Sequence, residues 1–208
     1  AEQRDQSWLD TYGMVQTIMA DFPEFLPNTY DQYYLYPDYK VSHLDPNFTR
    51  ADEVMAGREK RVFTECAEVI KEGKLGDKFH AISDAHAEMM IKVAEAIAYN
   101  KNDRHILIVE NNGAIANMQD DAMVEVVCEL GINGPRPMRV GNIPQFNLGL
   151  LVNQVSCEKL IVDAYFENSY QKALEAFTLN RLINDAKKAR KVLDALIEAN
   201  KGMWPELR

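Results

Sequence analysis

No stretch of this chain approaches the roughly 20 consecutive apolar residues that a membrane span needs, and no signal-peptide pattern opens it. Cysteine is scarce. Cys66, Cys128 and Cys157 are odd in number, far apart and without CxxC spacing. That excludes a disulfide framework and a thiolate metal or redox motif, and leaves reduced, packed thiols of a cytoplasmic protein. Positive charge is in short supply: 23 Lys and Arg face 32 Asp and Glu, a net charge of −9. This balance argues against nucleic acid and anionic membrane surfaces as partners, though one local basic pocket for an anionic ligand remains compatible with it.

The short motifs that mark common catalytic machinery are also missing. No G-x-G-x-x-G follows a strand, and there is no P-loop, H-E-x-x-H or G-x-S-x-G. His43, His80, His86 and His105 are scattered without ligand spacing. His86 lies three residues before Met89 and reads as a satisfied core histidine.

What remains is a globular composition. The chain has 208 residues, 47% hydrophobic and 26% charged, enough for one large domain or two small ones. It begins with Ala and carries no initiator Met, as a processed chain or an excerpt of a longer one would.

Two short runs rich in β-branched and aliphatic residues, His105-Ile-Leu-Ile-Val109 and Met123-Val-Glu-Val-Val-Cys-Glu-Leu130, suit strands. Val124, Val126 and Cys128 alternate with Glu125, Val127 and Glu129, so one face is buried and the other wetter. Asn112-Gly113 and Asn133-Gly-Pro135 are turn signals. The expectation is a small, mostly antiparallel sheet packed with several long helices, an α+β fold.

Helical periodicity flanks that sheet. Residues 7–21 place Trp8, Tyr12, Val15 and Met19 at a spacing of four, three and four, as an inward face. Residues 23–46 are dense in proline and aromatics and predict an ordered loop with one helical turn at most. Thr49 or Asn47 caps the next helix, whose expected apolar face is Met55, Val62, Cys66, Val69 and Ile70, and Gly73 ends it. Residues 83–99 follow, with Ile82, Met89, Val93 and Ile97 inward. Residues 146–182 read as one long helical region weakened near its start by Gly149 and Asn153-Gln154. A last helix over residues 185–200 buries Ala189, Val192, Leu193, Leu196 and Ile197, and Gly202 stops it.

Composition and periodicity name no function, but particular motifs do more. Leu26-Pro-Asn-Thr-Tyr30-x-Gln-Tyr-Tyr34, Asn47-Phe-Thr-Arg50-Ala-Asp-Glu-Val-Met55-x-Gly-Arg-Glu59, Val109-Glu-Asn-Asn-Gly-Ala-Ile-Ala-Asn117, Ile143-Pro-Gln-Phe146 and Glu198-Ala-Asn-Lys-x-x-Trp-Pro-Glu-Leu207 run through nearly the whole chain. Together they resemble glycoside hydrolase family 4, most closely its 6-phospho-α-glucosidases, which cleave maltose 6′-phosphate. Residues 1–208 correspond to the C-terminal, substrate-binding domain of such an enzyme, a fold like the C-terminal domain of lactate and malate dehydrogenases. The family's N-terminal Rossmann half is absent from the chain. That half binds NAD, supplies Cys and His to Mn²⁺ and carries the acid that protonates the leaving group. The 208 residues alone are therefore expected to hold neither cofactor and to be inactive.

The resemblance implies an oxidation at sugar C3 by NAD⁺, removal of the acidified C2 proton, elimination at C1 and addition of water, outside the two-carboxylate scheme of most glycosidases. The proton-abstracting base it implies is Tyr30. A phenol, with a reference pKa of about 10, needs positive neighbours to work as a base near neutrality. Tyr30, Tyr33, Tyr34, Tyr36 and Tyr39 crowd one segment, and without the resemblance each reads as loop packing. The arginine implied at the sugar phosphate is Arg50, whose planar fork of donors matches phosphate oxygens. Its bland reading is a first-turn arginine pairing with Asp52, Glu53 or solvent. Arg58 reads as an ion-pair partner, and Asn111 and Asn112 as turn chemistry. The implied partners are a phosphorylated disaccharide, the N-terminal half and further copies in a dimer or tetramer. The alternative is a stand-alone sugar-phosphate-binding or oligomerisation module without turnover.

Overall fold

The computed structural model describes residues 6–74, 85–183 and 185–208. The chain divides into two compact units, Ala1–Arg61 and Val62–Arg208.

In the first unit, α1 (Gln6–Asp21) is followed by two short helices, α2 (Asp31–Leu35) and α3 (Pro37–Ser42), then α4 (Arg50–Glu53) and a π-helical turn over Val54–Arg58. α1 forms where the periodicity predicts, but a different face is buried. Met14 and Ile18, one helical turn apart, are the buried positions, whereas Tyr12 and Met19 are exposed. Periodicity locates a stripe, but the surface packed against the helix decides which edge of it is covered. The 23–46 segment is more helical than its prolines suggest. Pro37 sits in the first turn of α3, where its missing N–H costs nothing.

α5 (Glu59–Glu72) leads into the second unit and ends at Gly73 with φ +66°, as anticipated. Its apolar stripe is not a buried one. Met55, Val62 and Ile70 are exposed, and only Cys66 and Val69 are half-buried. α6 (Ala85–Ala98) packs on the sheet through small Ala96, fully buried, while Met89 and Ile97 stay exposed. The Ile82 and Ser83 placement and His80 lie outside the described residues.

The sheet is three-stranded and antiparallel in the order β1 (Asp103–Glu110), β2 (Met123–Gly131), β3 (Gly134–Pro137). Its α+β character is as the sequence suggests. Val124, Val126 and Cys128 are buried and Glu125 is exposed, so the predicted alternation holds. Pro135 and Pro137 do not stop a ladder; they sit in β3, an edge strand, which tolerates residues without an N–H. Beyond β3 the chain runs beside the β1–β2 connection. Val140 N donates to Ala114 O at 2.7 Å and Ala116 N to Gly141 O at 2.9 Å.

One core lies on a single face of this sheet: Val109, Val124, Val126 and Cys128 meet Ala114, Ile115, Met118 and Ala122 of the β1–β2 connection and Val155 of α7 (Gln145–Glu167). A second core joins α7, α8 (Tyr170–Leu179) and α9 (Ala186–Ala199) around Ala164, Ala173 and Leu193, with Leu207 of the tail packed on it. α7 is unbroken through Gly149 and Asn153. The break falls instead at Asn168, in the left-handed region at φ +53°, with Ser169 capping α8. Packing of Val155, Cys157 and Ala164 carries the weak start of α7, and a short polar side chain that tolerates positive φ decides where it ends. α9 starts at the Asp185 cap and buries Ala189 and Leu193 as read, though Leu196 stays exposed.

Candidate functional site

Both residues singled out by the resemblance lie in the first unit, each in the opening turn of a short helix. The segment before α2 is held by side chains. Asn28 N donates to Asp31 Oδ2 at 2.7 Å, and Asn28 Oδ1 accepts from Tyr30 N at 2.9 Å. Asp31 N returns to Asn28 O at 3.1 Å, closing the turn. Asn and Asp do this readily because a short polar side chain reaches the backbone two or three residues away. Gln32 is 2% exposed, and its Nε2 donates to Thr29 O at 2.6 Å.

Tyr30 emerges from this lock 68% exposed, with its ring 6.3 Å from that of Tyr33. The neighbouring tyrosines are engaged otherwise. Tyr33 takes Lys40 Nζ over its ring at 5.2 Å. Tyr39 stacks on His43 at 4.1 Å, and His43 Nδ1 sits 2.8 Å from Tyr39 O. Tyr36 donates to the Asp21 carboxylate, which favours the neutral phenol and pushes it up to about 12. Tyr34 is half-buried.

Arg50 follows a capping box. Thr49 N and Oγ1 donate to Asp52 Oδ2 at 2.8 and 2.7 Å, and Asp52 N donates to Thr49 Oγ1 at 3.4 Å. These bonds hold the Asp52 carboxyl below the usual carboxylate range. Of the two caps the sequence offered, Thr49 is therefore the one used. The π turn at Val54–Arg58 had no clear signal beyond Gly57; such turns gather at functional sites. The Arg58 side chain lies outside the described ones.

The remaining candidates belong to the second unit. Asn111, fully buried in the second unit, is turn chemistry as expected: Nδ2 donates to the carbonyls of Ile115, Met118 and Gln119, and Oδ1 accepts from Ile115 N at 2.7 Å. Asn112 sits at φ +42° in the same turn. His86 is exposed on α6, so the core-histidine reading fails there; the helix turns Ala96, not the His86 side, to the sheet. His105 is half-buried in β1 opposite Cys128. All three cysteines are free thiols. Among the described residues no group of three or more His, Cys, Asp and Glu side chains could hold a metal ion. Nor is any described helix long and apolar enough to cross a membrane.

Comparison with known proteins bears directly on these motifs. Residues 1–183 match the family 4 glycosyl hydrolase C-terminal domain. The chain belongs to this family. It is 49% identical to maltose-6′-phosphate glucosidase MalH of Clostridium acetobutylicum, over 99% of this chain and 46% of that protein. A crystal structure of a 6-phospho-α-glucosidase from gut microorganisms, in complex with NAD and Mn²⁺, superposes with a TM-score of 0.92 at 82% identity, covering 100% of this chain and 47% of that one. A second, in complex with NAD and glucose-6-phosphate, gives a TM-score of 0.91 at 46% identity, covering 98% and 46%. The family 4 chain thus spans about half the length of the relatives it matches. By itself the set of described residues does not fit a manganese centre such as the first of those structures contains.

Gln32 is the residue that sequence reasoning missed. Its signal was available: a polar side chain three residues after Thr29, inside the quoted motif, at a position that helical geometry turns back over the preceding turn.

Proposed function

We propose that this chain supplies the substrate-facing part of a 6-phospho-α-glucosidase acting on maltose 6′-phosphate and related phosphorylated α-glucosides. NAD and Mn²⁺ are held in the assembled enzyme by residues that this chain does not contribute. Tyr30 is the general base that takes the proton from sugar C2, and Arg50 grips the 6-phosphate through its guanidinium fork.

The observation that carries this reading is the state of the tyrosine cluster. Tyr36 is tied to Asp21, Tyr39 to His43 and Tyr33 to Lys40, whereas Tyr30 is exposed on a hydrogen-bonded turn. A base needs access and a fixed backbone, and Tyr30 has both. The test is to join the chain to the N-terminal portion of the 82% identical 6-phospho-α-glucosidase and assay it with NAD, Mn²⁺ and a chromogenic α-glucoside 6-phosphate. The joined protein turns over and the 208-residue chain alone does not. Robust turnover by the chain alone overturns the reading, and so does an active joined protein indifferent to the 6-phosphate.

A further inference from the structure

Gln32 presents a problem of physical chemistry. It is one of the largest fully buried side chains, at 2% exposure, yet its Oε1 is buried with no hydrogen-bond partner among the described residues. A buried acceptor deprived of a donor costs stability, and an apolar side chain of the same length would fill the space without that cost. Native structures keep such groups for a reason. The Gln32 side chain donates from Nε2 to Thr29 O at 2.6 Å. The amide orientation follows from that contact, since Oε1 facing a carbonyl oxygen at this distance would be repelled.

Thr29 O belongs to the peptide unit that leads into Tyr30. Tyr30 N, in that same peptide unit, donates to Asn28 Oδ1 at 2.9 Å, and the Tyr30 carbonyl beyond it accepts from Tyr33 N at 3.0 Å. The Gln32 amide thus clamps the peptide immediately ahead of the exposed tyrosine from a buried side chain. We propose that Gln32 is a positioning residue for Tyr30, retained at a cost in stability because it fixes the backbone from which the base projects. The inference rests on Tyr30 being the base.

Gln32→Met is the decisive variant, because the unbranched thioether keeps the volume, removes the orphaned acceptor and removes the clamp. In the joined enzyme described above, its melting temperature stays equal or rises while kcat falls by about tenfold or more and KM moves by less than about threefold. A residue that merely fills space gives the opposite pair, a lower melting temperature and unchanged kcat. In the 208-residue chain, amide exchange at Tyr30 accelerates by about tenfold while exchange at Tyr36, whose amide bonds to Gln32 O, stays within about twofold. Gln32→Glu gives an independent reading, since its carboxyl can donate to Thr29 O only when protonated. Its kcat relative to the parent climbs as pH falls, and a flat ratio overturns the clamp. Tyr30→Phe separates the two ideas. If it keeps full kcat, the base assignment falls and this proposal with it. If it abolishes turnover while Gln32→Met leaves kcat and Tyr30 exchange at parent values, only the role of Gln32 is wrong.

Discussion

Tyr36 donates its phenolic proton to the Asp21 carboxylate, fastening the α2–α3 junction to the end of α1 across fifteen residues of sequence. The bond favours the neutral phenol and pushes it up to about 12, from an ordinary value of 10.0. A phenol whose folded pKa lies above its unfolded one stabilises the fold fully below the unfolded value. That contribution is lost as pH rises from about 10 through about 12. Tyr36→Phe removes the bond at a cost of about 0.5–1 kcal/mol, the low end for a bond to a charged group because the carboxylate is solvated. Urea unfolding at pH 8 and pH 11.5 checks both parts. The parent loses more stability between the two than the variant does.

Under the proposed roles, Arg50 as phosphate grip and Tyr30 as base, the two residues have separable kinetic signatures. Arg50→Ala deletes a charge-assisted grip present in ground and transition states alike, so KM for the phosphorylated substrate rises by about tenfold to a hundredfold with kcat largely kept. Tyr30→Phe keeps the ring and deletes the proton acceptor, so kcat falls by about a hundredfold or more with KM little changed. Steady-state kinetics of the joined enzyme decide it. Small, equal effects from both changes mean that the site lies elsewhere.

Under the same proposal, Thr49 supports the Arg50 grip through the backbone of the turn. Its hydroxyl and amide share Asp52 Oδ2, and Arg50 is the first residue inside that box. Thr49→Ala frays the turn and raises KM by a few-fold, less than Arg50→Ala does, and Thr49→Ser restores it. The depressed Asp52 carboxyl adds a sign. Its stabilisation is present above the ordinary carboxylate range and lost as pH falls through its lowered value, so the parent and Thr49→Ala converge in acid.

These relationships mark where the sequence was legible. The period-two alternation at 124–129 fixed the buried face of β2 because a strand buries alternate residues whatever lies around it. The cap at Thr49 and the stop at Gly73 were readable because caps are local chemistry. Helix faces were less readable. In α1 and α6 the buried positions are Met14, Ile18 and Ala96, while Tyr12, Met89 and Ile97 stay exposed. Periodicity says that a stripe exists, but the partner surface decides which edge of it is covered, and a close approach selects a small residue such as Ala96. Tyr30 and Arg50 were visible only through the resemblance. Gln32 lay inside a quoted motif three residues after Thr29, but its burial, on which its role depends, is not announced by a polar residue type.

Asn111 is the polar centre of the β1–β2 connection. One side chain meets three carbonyls at 3.0 to 3.2 Å and one amide at 2.7 Å, with no solvent contact. Asn111→Ala strands several buried groups, each worth about 1–3 kcal/mol, so a loss of about 3 kcal/mol or more is expected. For a chain of this size that lowers the melting temperature by about 6–12 °C. Asn111→Asp does no better, since it restores the acceptor for Ile115 N but offers the three carbonyls a charge and no donor. Calorimetry of both variants checks this, and a loss below about 1 kcal/mol for either contradicts it.

Gly131 closes β2 where two asparagines from the α6–β1 turn come against the backbone. A Cβ there would stand 2.7 Å from Asn100 Oδ1 and 2.8 Å from Asn102 Oδ1. Neither side chain can swing away freely. Asn100 Oδ1 accepts from Ile132 N at 3.0 Å, and Asn102 Nδ2 donates to Asn100 O at 3.1 Å. Gly131→Ala therefore destabilises by about 1–3 kcal/mol, the usual cost of overpacking. Asn100→Gly is the informative partner, because φ at Asn100 is +50°, which glycine accepts without strain. Alone it loses the bond to Ile132. Combined with Gly131→Ala it also removes one of the two clashes, so the double variant loses less than the sum, with a coupling of about 0.5–2 kcal/mol. Strict additivity in denaturant melts would mean that the β2 end shifts to admit the methyl without pressing on Asn100.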